Sequence, residues 1–354
     1  MSVLASRLYG LLLLLFAVLA ALPALAGEVP LPSDVHLPIN VHVSLRVLDI
    51  TDLKETAGEM SASVEYVLRW TDPGRKFDPR AVGRNRQDFV ADAATAELDR
   101  GWSPKVQIEN QIRAPRSQSV ALSVESDGSV RLIQRLDADF RVHVDLTPFP
   151  FDRQHLSLAL VSPRYSSDDV VFIVDDGDRQ LSTLSDDLSV NEWTPRSMVL
   201  SLERFYGWNS RPFQRLIATA AIDRIWMRYL LQIFVPFFAV VSVSLFLLWA
   251  PDEVQRDMAG ITYSALLALA AISFTFESSY PGSMSVNSPI AFMISIGYFY
   301  LILTLVLKLA VKYAPYPGKT RYPYLDDEIL ANMKYTLPGI FFVICLSSVV
   351  AMLV

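Results

Sequence analysis

Cysteine is nearly absent from this chain: Cys345 is the only one, and it lies in the last apolar segment. An intrachain disulfide is thereby excluded, as is any metal cluster built on several thiolates. Histidine is sparse as well. His36, His42, His143 and His155 are scattered over strands and loops, with no HExxH pair, no nucleophile elbow and no glycine-rich phosphate loop, so nothing reads as an enzyme. Basic residues are outnumbered, 31 Lys and Arg against 37 Asp and Glu, and they form no stripe that could follow phosphates, which sets nucleic acid aside. There is no internal repeat and no low-complexity segment.

What the chain has is apolar residues, 52% of the total, more than a soluble protein of this length carries. The first 26 residues combine Arg7, a leucine-rich core and the small-residue pattern Ala24-Leu25-Ala26, the signature of a cleavable secretory signal, with a mature chain starting near Gly27. From about Leu37 to Arg224 apolar residues alternate, as in Ile39, Val41, Val43, Leu45, Val47 and again in Ala62, Val64, Tyr66, Leu68, Trp70. Period two means half-buried strands. Turn clusters such as "TDPGR", "ESDG" and "VDDGD" separate the runs, so residues 27–226 are expected to form an all-β, immunoglobulin-like antiparallel sandwich, with one helix in "RQDFVADA".

After Arg224 the pattern changes to four long apolar segments, at about 227–249, 254–277, 286–312 and 330–354, each close to the length that crosses a bilayer as a helix. Residues 227–354 are thus expected to be an all-α four-helix membrane domain. Lys308, Lys312, Lys319, Arg321 and Lys334 surround the third connection, whereas "ESSYPGSMSVN" in the second has no basic residue. The third connection is therefore assigned to the cytoplasm and the second, with the C-terminus, to the outside.

The second span, "RDMAGITYSALLALAAISFTFES", is poor in bulky residues. On a helix, Asp257, Gly260, Ser264, Leu267, Ala271, Phe274 and Ser278 fall at steps of three and four and share one face. Small residues for close helix packing are one reading of that face. A pore lining is the other, in which a charged ring selects ions and an apolar constriction gates. One helix cannot enclose a pore, so this second reading requires an oligomer, a closed ring of copies that repeats one interface; the resemblance drawn below makes it a homopentamer.

One stretch ties the halves together. "FPFD", Phe149 to Asp152, lies between two strand patterns with Gln154 just after it; "WTD" stands at Trp70 to Asp72, "WSP" at Trp102 to Pro104, "ERFY" at Glu203 to Tyr206, and Pro236 sits in the first span. In their order, their spacing and the topology around them, these motifs resemble the pentameric ligand-gated ion channels, the Cys-loop receptor superfamily, along almost the whole mature chain. Val142 and Leu156 stand where the animal receptors have their two cysteines, and only "APYPGKTRYPYLDD" joins the third and fourth spans. Both departures point to a prokaryotic member in a bacterial inner membrane, its sandwich and C-terminus in the periplasm.

The resemblance implies a ligand-gated channel with no cofactor. Asp257, Gly260, Ser264, Leu267, Ala271 and Phe274 would line the pore, and the carboxylate ring at Asp257 would favour monovalent cations. It puts Phe149, Pro150 and Phe151 against the outer ends of the helices and pairs Asp152 with Arg224. Asp52 or Glu55, and Pro281, would join them in coupling the domains. The agonist site would lie between subunits, with Tyr165, Tyr206, Trp208 and Phe213 as its rings and Glu65 and Glu109 in place of two more. A small amine-like cation, held by cation–π attraction, or protons are the expected agonist. A membrane-anchored periplasmic sensor without a pore is the alternative, but it leaves Asp257 and the polar stripe unexplained. A secondary transporter would need more spans and broken-helix repeats.

Overall fold

The computed structural model describes residues 31–32, 35–207, 210–249, 257–280, 284, 288–315, 322 and 324–353. The expected signal segment, Trp208 and Pro281 lie outside the described residues.

The described residues form ten strands, most of them on the alternating runs: β1 (Ile39–Lys54), β2 (Glu59–Thr71), β3 (Arg86–Val90), β4 (Gln107–Ile108), β5 (Ser117–Glu125), β6 (Ser129–Arg141), β7 (Arg153–Val161), β8 (Val170–Ile173), β9 (Trp193–Tyr206) and β10 (Pro212–Arg224). They make a six-stranded sheet in the order β3-β5-β6-β2-β1-β8 and a four-stranded sheet in the order β4-β7-β10-β9. All pairings are antiparallel except β1 with β8. The inward residues of both sheets, among them Val43, Leu45, Tyr66, Leu68, Phe140, Leu158 and Leu216, fuse into one core. Trp70 and Trp102 meet inside it edge to face at 6.1 Å, so both tryptophan motifs serve the core.

The helix expected in "RQDFVADA" is displaced. Arg86–Val90 is a strand whose residues alternate in exposure beside β5, and the helix follows it at Asp92–Arg100, after a backbone turn at Ala91 with φ 51°. Period two in Gln87 and Phe89 overrode the local helix propensity.

The membrane half contains α1 (Val235–Trp249), α2 (Met258–Ser279), α3 (Pro289–Tyr313) and α4 (Leu325–Leu353). Among the described residues, only α2, α3 and α4 are long and apolar enough to cross a bilayer as uninterrupted helices. The first expected span, in contrast, is divided into a short turn at Met227–Tyr229, a π-helical turn at Leu230–Phe234 and the 15 residues of α1. Pro236 explains the division: it has no amide N–H to give the preceding turn, and its ring is accommodated most easily in the first turn of an α-helix, where it stands in α1. α4 starts earlier than its apolar run, because Asp326, Asp327 and Glu328 suit the positive end of a helix.

α2 packs on both α1 and α3 through Ala265, Leu269 and Phe276. Gly297 of α3 permits this approach, since a Cβ there would stand 2.9 Å from the Phe237 ring and 3.2 Å from Leu269.

Candidate functional site

The end of the sandwich next to the helices is built from strand termini. Glu55 follows β1, Asp152 precedes β7, Glu192 precedes β9 and Arg224 is the last residue of β10. Pairing of β7, β10 and β9 in one sheet brings three of these ends together, and packing of the other sheet against it adds Glu55 at the end of β1. There the Arg224 side chain, fully buried, donates from Nε to Asp152 Oδ1 at 2.6 Å and from Nη2 to Oδ2 at 3.1 Å. Its Nη1 lies 2.8 Å from Glu55 Oε1 and 3.0 Å from the Tyr229 hydroxyl, which itself donates to Glu192 at 2.9 Å. Gln154 secures the carboxylate from the other side, donating to Asp152 Oδ2 at 2.6 Å.

Aromatic rings complete the shell. The guanidinium carbon stands 4.2 Å from the Trp193 ring centroid and 4.9 Å from that of Phe149, within cation–π range. Phe149 in turn stacks on Tyr280 at 4.6 Å and meets Tyr229 at 5.1 Å, and it belongs to the core formed by the helices. Pro150, preceded by a cis peptide bond, is buried, and Phe151 leans on Trp226 at 5.5 Å. The "FPFD" loop is thus a plug: its rings enter the helical domain while Asp152 stays with the sandwich and holds Arg224.

Two carboxylates, Asp152 and Glu55, hold the arginine directly, and a third, Glu192, reaches it through the Tyr229 hydroxyl. Burial by itself would lower the guanidinium's pKa, but the hydrogen bonds of Asp152 and Glu55 reverse this and leave it raised. Glu55 carries the surplus. Its carboxyl is pushed above the ordinary range, first by burial and then by the charges of Asp152 and Glu192, against the pull of Arg224. Its second oxygen, Oε2, is buried with no hydrogen-bond partner among the described residues. Of the two acidic residues expected from the early connection, Glu55 enters the cluster, while Asp52 is exposed on the outer face of β1. Glu192, Trp193 and Tyr229 had no signal of their own in the sequence.

On α2 the expected stripe is the face that no other element among the described residues covers. Asp257, Ser264, Leu267, Ala271 and Phe274 are exposed, Leu267 by 72% and Phe274 by 76%, and Gly260 is half-buried. Asp257 stands at the start of the helix with its carboxylate over Gly260, where a Cβ would come within 2.5 Å of Oδ1. Glycine leaves room for that carboxylate. Ser264 returns its hydroxyl to the Gly260 carbonyl at 3.0 Å, so it lends the face polarity without leaving its own helix unsatisfied.

The expected agonist residues separate into three places. Tyr165 packs on Trp102 at 5.7 Å against the sandwich core. Glu65 lies on β2 between Arg46 and Arg135, with Arg46 Nη1 at 3.9 Å. Phe213 stacks on Phe205 across the β9–β10 hairpin at 5.8 Å, Tyr206 is 80% exposed beside them, and Glu109 reaches the same hairpin by pairing with Arg215 at 3.2 Å. Arg215 also binds Glu203 at 2.9 Å, which holds that carboxyl below its ordinary value. Elsewhere His42 lies 3.1 Å from Asp175 and 3.3 Å from Asp178, a grouping the scattered sequence positions did not suggest, and Arg69 already occupies Asp178 at 2.5 Å.

Comparison with known proteins agrees with this architecture. Residues 28–225 match the family model of the neurotransmitter-gated ion-channel ligand binding domain. The chain is 22% identical to the proton-gated ion channel of Gloeobacter violaceus over 276 residues, covering 77% of this chain and 74% of that one. It is 24% identical to the glutamate-gated chloride channel of Drosophila melanogaster over 249 residues, and 25% identical to the human neuronal acetylcholine receptor subunit alpha-10 over 253. In those two cases it spans about half the relative's length, 51% in each. A ligand-binding sandwich plugged into apolar helices by a buried carboxylate–arginine pair, together with these matches, places the chain in the neurotransmitter-gated ion-channel family: it is a member of the pentameric ligand-gated ion channels, not an enzyme.

Proposed function

We propose that this chain is the subunit of a homopentameric, cation-selective channel in a bacterial inner membrane, opened by protons acting on its periplasmic sandwich. The observation that carries the channel reading is the polarity of α2. One face, with Ala265, Leu269 and Phe276, is committed to α1 and α3, while the face running from Asp257 through Ser264 to Leu267 and Phe274 is left to neighbouring copies. Five such faces enclose a pore with a carboxylate ring at the cytoplasmic mouth and an apolar constriction above it. A membrane-anchored sensor gives no reason for an acidic residue and a polar stripe on the face of α2 that is left uncovered among the described residues.

Protons are favoured over a small amine for two reasons. Glu65 and Glu109, the carboxylates an amine would need, each already face an arginine of the chain itself. Glu55, by contrast, sits at the domain boundary with a raised pKa and a surplus of negative neighbours, so acidification changes the charge of the rim where sandwich meets helices. The relative from Gloeobacter violaceus carries proton gating in its name.

The test is current across planar bilayers containing the purified protein. A pH step on the periplasmic side should evoke current, with a reversal potential in asymmetric salt that follows the cation gradient. Asp257→Ala should move that potential toward zero selectivity. A chloride-following potential refutes the acidic filter, and silence at every pH refutes proton gating.

A further inference from the structure

The β9–β10 hairpin, which carries Tyr206 and Phe213 of the expected agonist residues, holds the groups a cation-binding site needs, gathered around a cation of its own. The Arg215 guanidinium carbon lies 5.1 Å from the centroid of Phe205, whose other neighbour is the stacked Phe213 ring. Its Nε lies 2.9 Å from Glu203 Oε2 and its Nη1 3.2 Å from Glu109 Oε2. Glu203 and Phe205 come from β9, Arg215 and Phe213 from β10, and Glu109 from the segment just after β4, so three pieces of backbone meet at one guanidinium. An aromatic face with two carboxylates is the chemistry that recognises a small organic cation. The Arg215 side chain is 29% exposed, so the site opens to solvent.

We propose that Arg215 is a built-in occupant of this site: it satisfies the cation-recognising groups from within, makes the subunit blind to free amines, and its removal opens a vacancy for a guanidinium or primary ammonium ion. The agonist consequence rests on the reading that the agonist site lies at this hairpin; the vacancy itself does not. Arg215→Ala supplies the cavity. Arg215→Met, which keeps the volume of the stem, serves if the alanine variant does not assemble into the pentamer.

The probe is methylguanidinium, with methylurea as its neutral counterpart and sodium chloride matching the ionic strength. Binding to the purified pentamer is read by calorimetry, and gating by sodium current at a fixed, sub-threshold pH. Wild type should bind methylguanidinium weakly or not at all, whereas Arg215→Ala should bind it saturably and at least about tenfold more tightly, an advantage lost when Glu203→Gln is added. Methylurea should not bind. Equal, non-saturable binding in wild type and both Arg215 variants overturns the proposal, as does binding that methylurea reproduces. Saturable binding without any change in current upholds the vacancy and instead refutes the hairpin as the agonist site.

Discussion

Arg224→Met removes the charge at the centre of the domain boundary while keeping an apolar stem beside Trp193. In the native protein the guanidinium meets Asp152 through two hydrogen bonds, Glu55 through one ion pair and the Tyr229 hydroxyl, with none of its side chain reaching water. Without it, Asp152 remains fully buried, held by Gln154, next to the charges of Glu55 and Glu192. Stranding a buried charge in this way costs about 3–5 kcal/mol. Asp152→Asn is milder, because the arginine keeps Glu55, and a lost charge-assisted hydrogen bond costs about 1.5–3 kcal/mol. The expected order is therefore Arg224→Met worse than Asp152→Asn, with the double variant less damaging than the two losses summed, since no buried carboxylate is then left at position 152.

The geometry also says that exchanging the two charges is not enough. An aspartate at position 224 would face Glu55 and Glu192, so Asp152→Arg with Arg224→Asp should stay impaired unless Glu55→Gln is added. Thermal unfolding of detergent-solubilised pentamers, followed through tryptophan fluorescence, reads the order directly, and Trp193 at 4.2 Å from the guanidinium is a reporter inside the cluster. Bilayer recordings read coupling. Arg224→Met matching wild type in both assays, or single losses that simply add in the double variant, would refute the idea that one buried pair joins the domains.

Leu267, 72% exposed on the free face of α2, should wet more readily as serine, so Leu267→Ser channels should open at a weaker acid stimulus and close incompletely at neutral pH in bilayer recordings. Glu55→Gln should flatten the pH dependence of stability. Because the folded-state pKa of Glu55 is raised, its contribution is fully present below the unfolded value and is lost as pH rises through the folded one; melting temperatures of wild type and variant should thus diverge in that window, and parallel curves would refute the assignment. Gly58, in the tight turn after β1, has φ +62°, and a Cβ there would stand 2.7 Å from the Val142 carbonyl oxygen. Gly58→Ala should therefore cost at least about 1–2 kcal/mol from the left-handed backbone alone, visible as a lowered melting temperature.

Much of the domain boundary was legible because its key residues are consecutive. Phe149 to Asp152 declare a buried, aromatic turn with a carboxylate in need of a partner, and Arg224 stands where the alternating pattern gives way to continuous apolar sequence. What remained hidden is what strand ends do when sheets assemble. Period two tells which side chains share a face, but it does not tell which termini meet, so Glu55 could not be separated from Asp52, and Glu192 and Trp193 were silent. A hairpin is the exception, because its register follows from counting outward from the tip. With residues 206 and 212 opposite each other, Phe205 must face Phe213 and Glu203 must face Arg215. "ERFY" and "PFQR" therefore already contain the ion pair and the ring stack, and reading the two strands against each other, instead of each for its aromatic residues, exposes an arginine where a ligand's cation was expected.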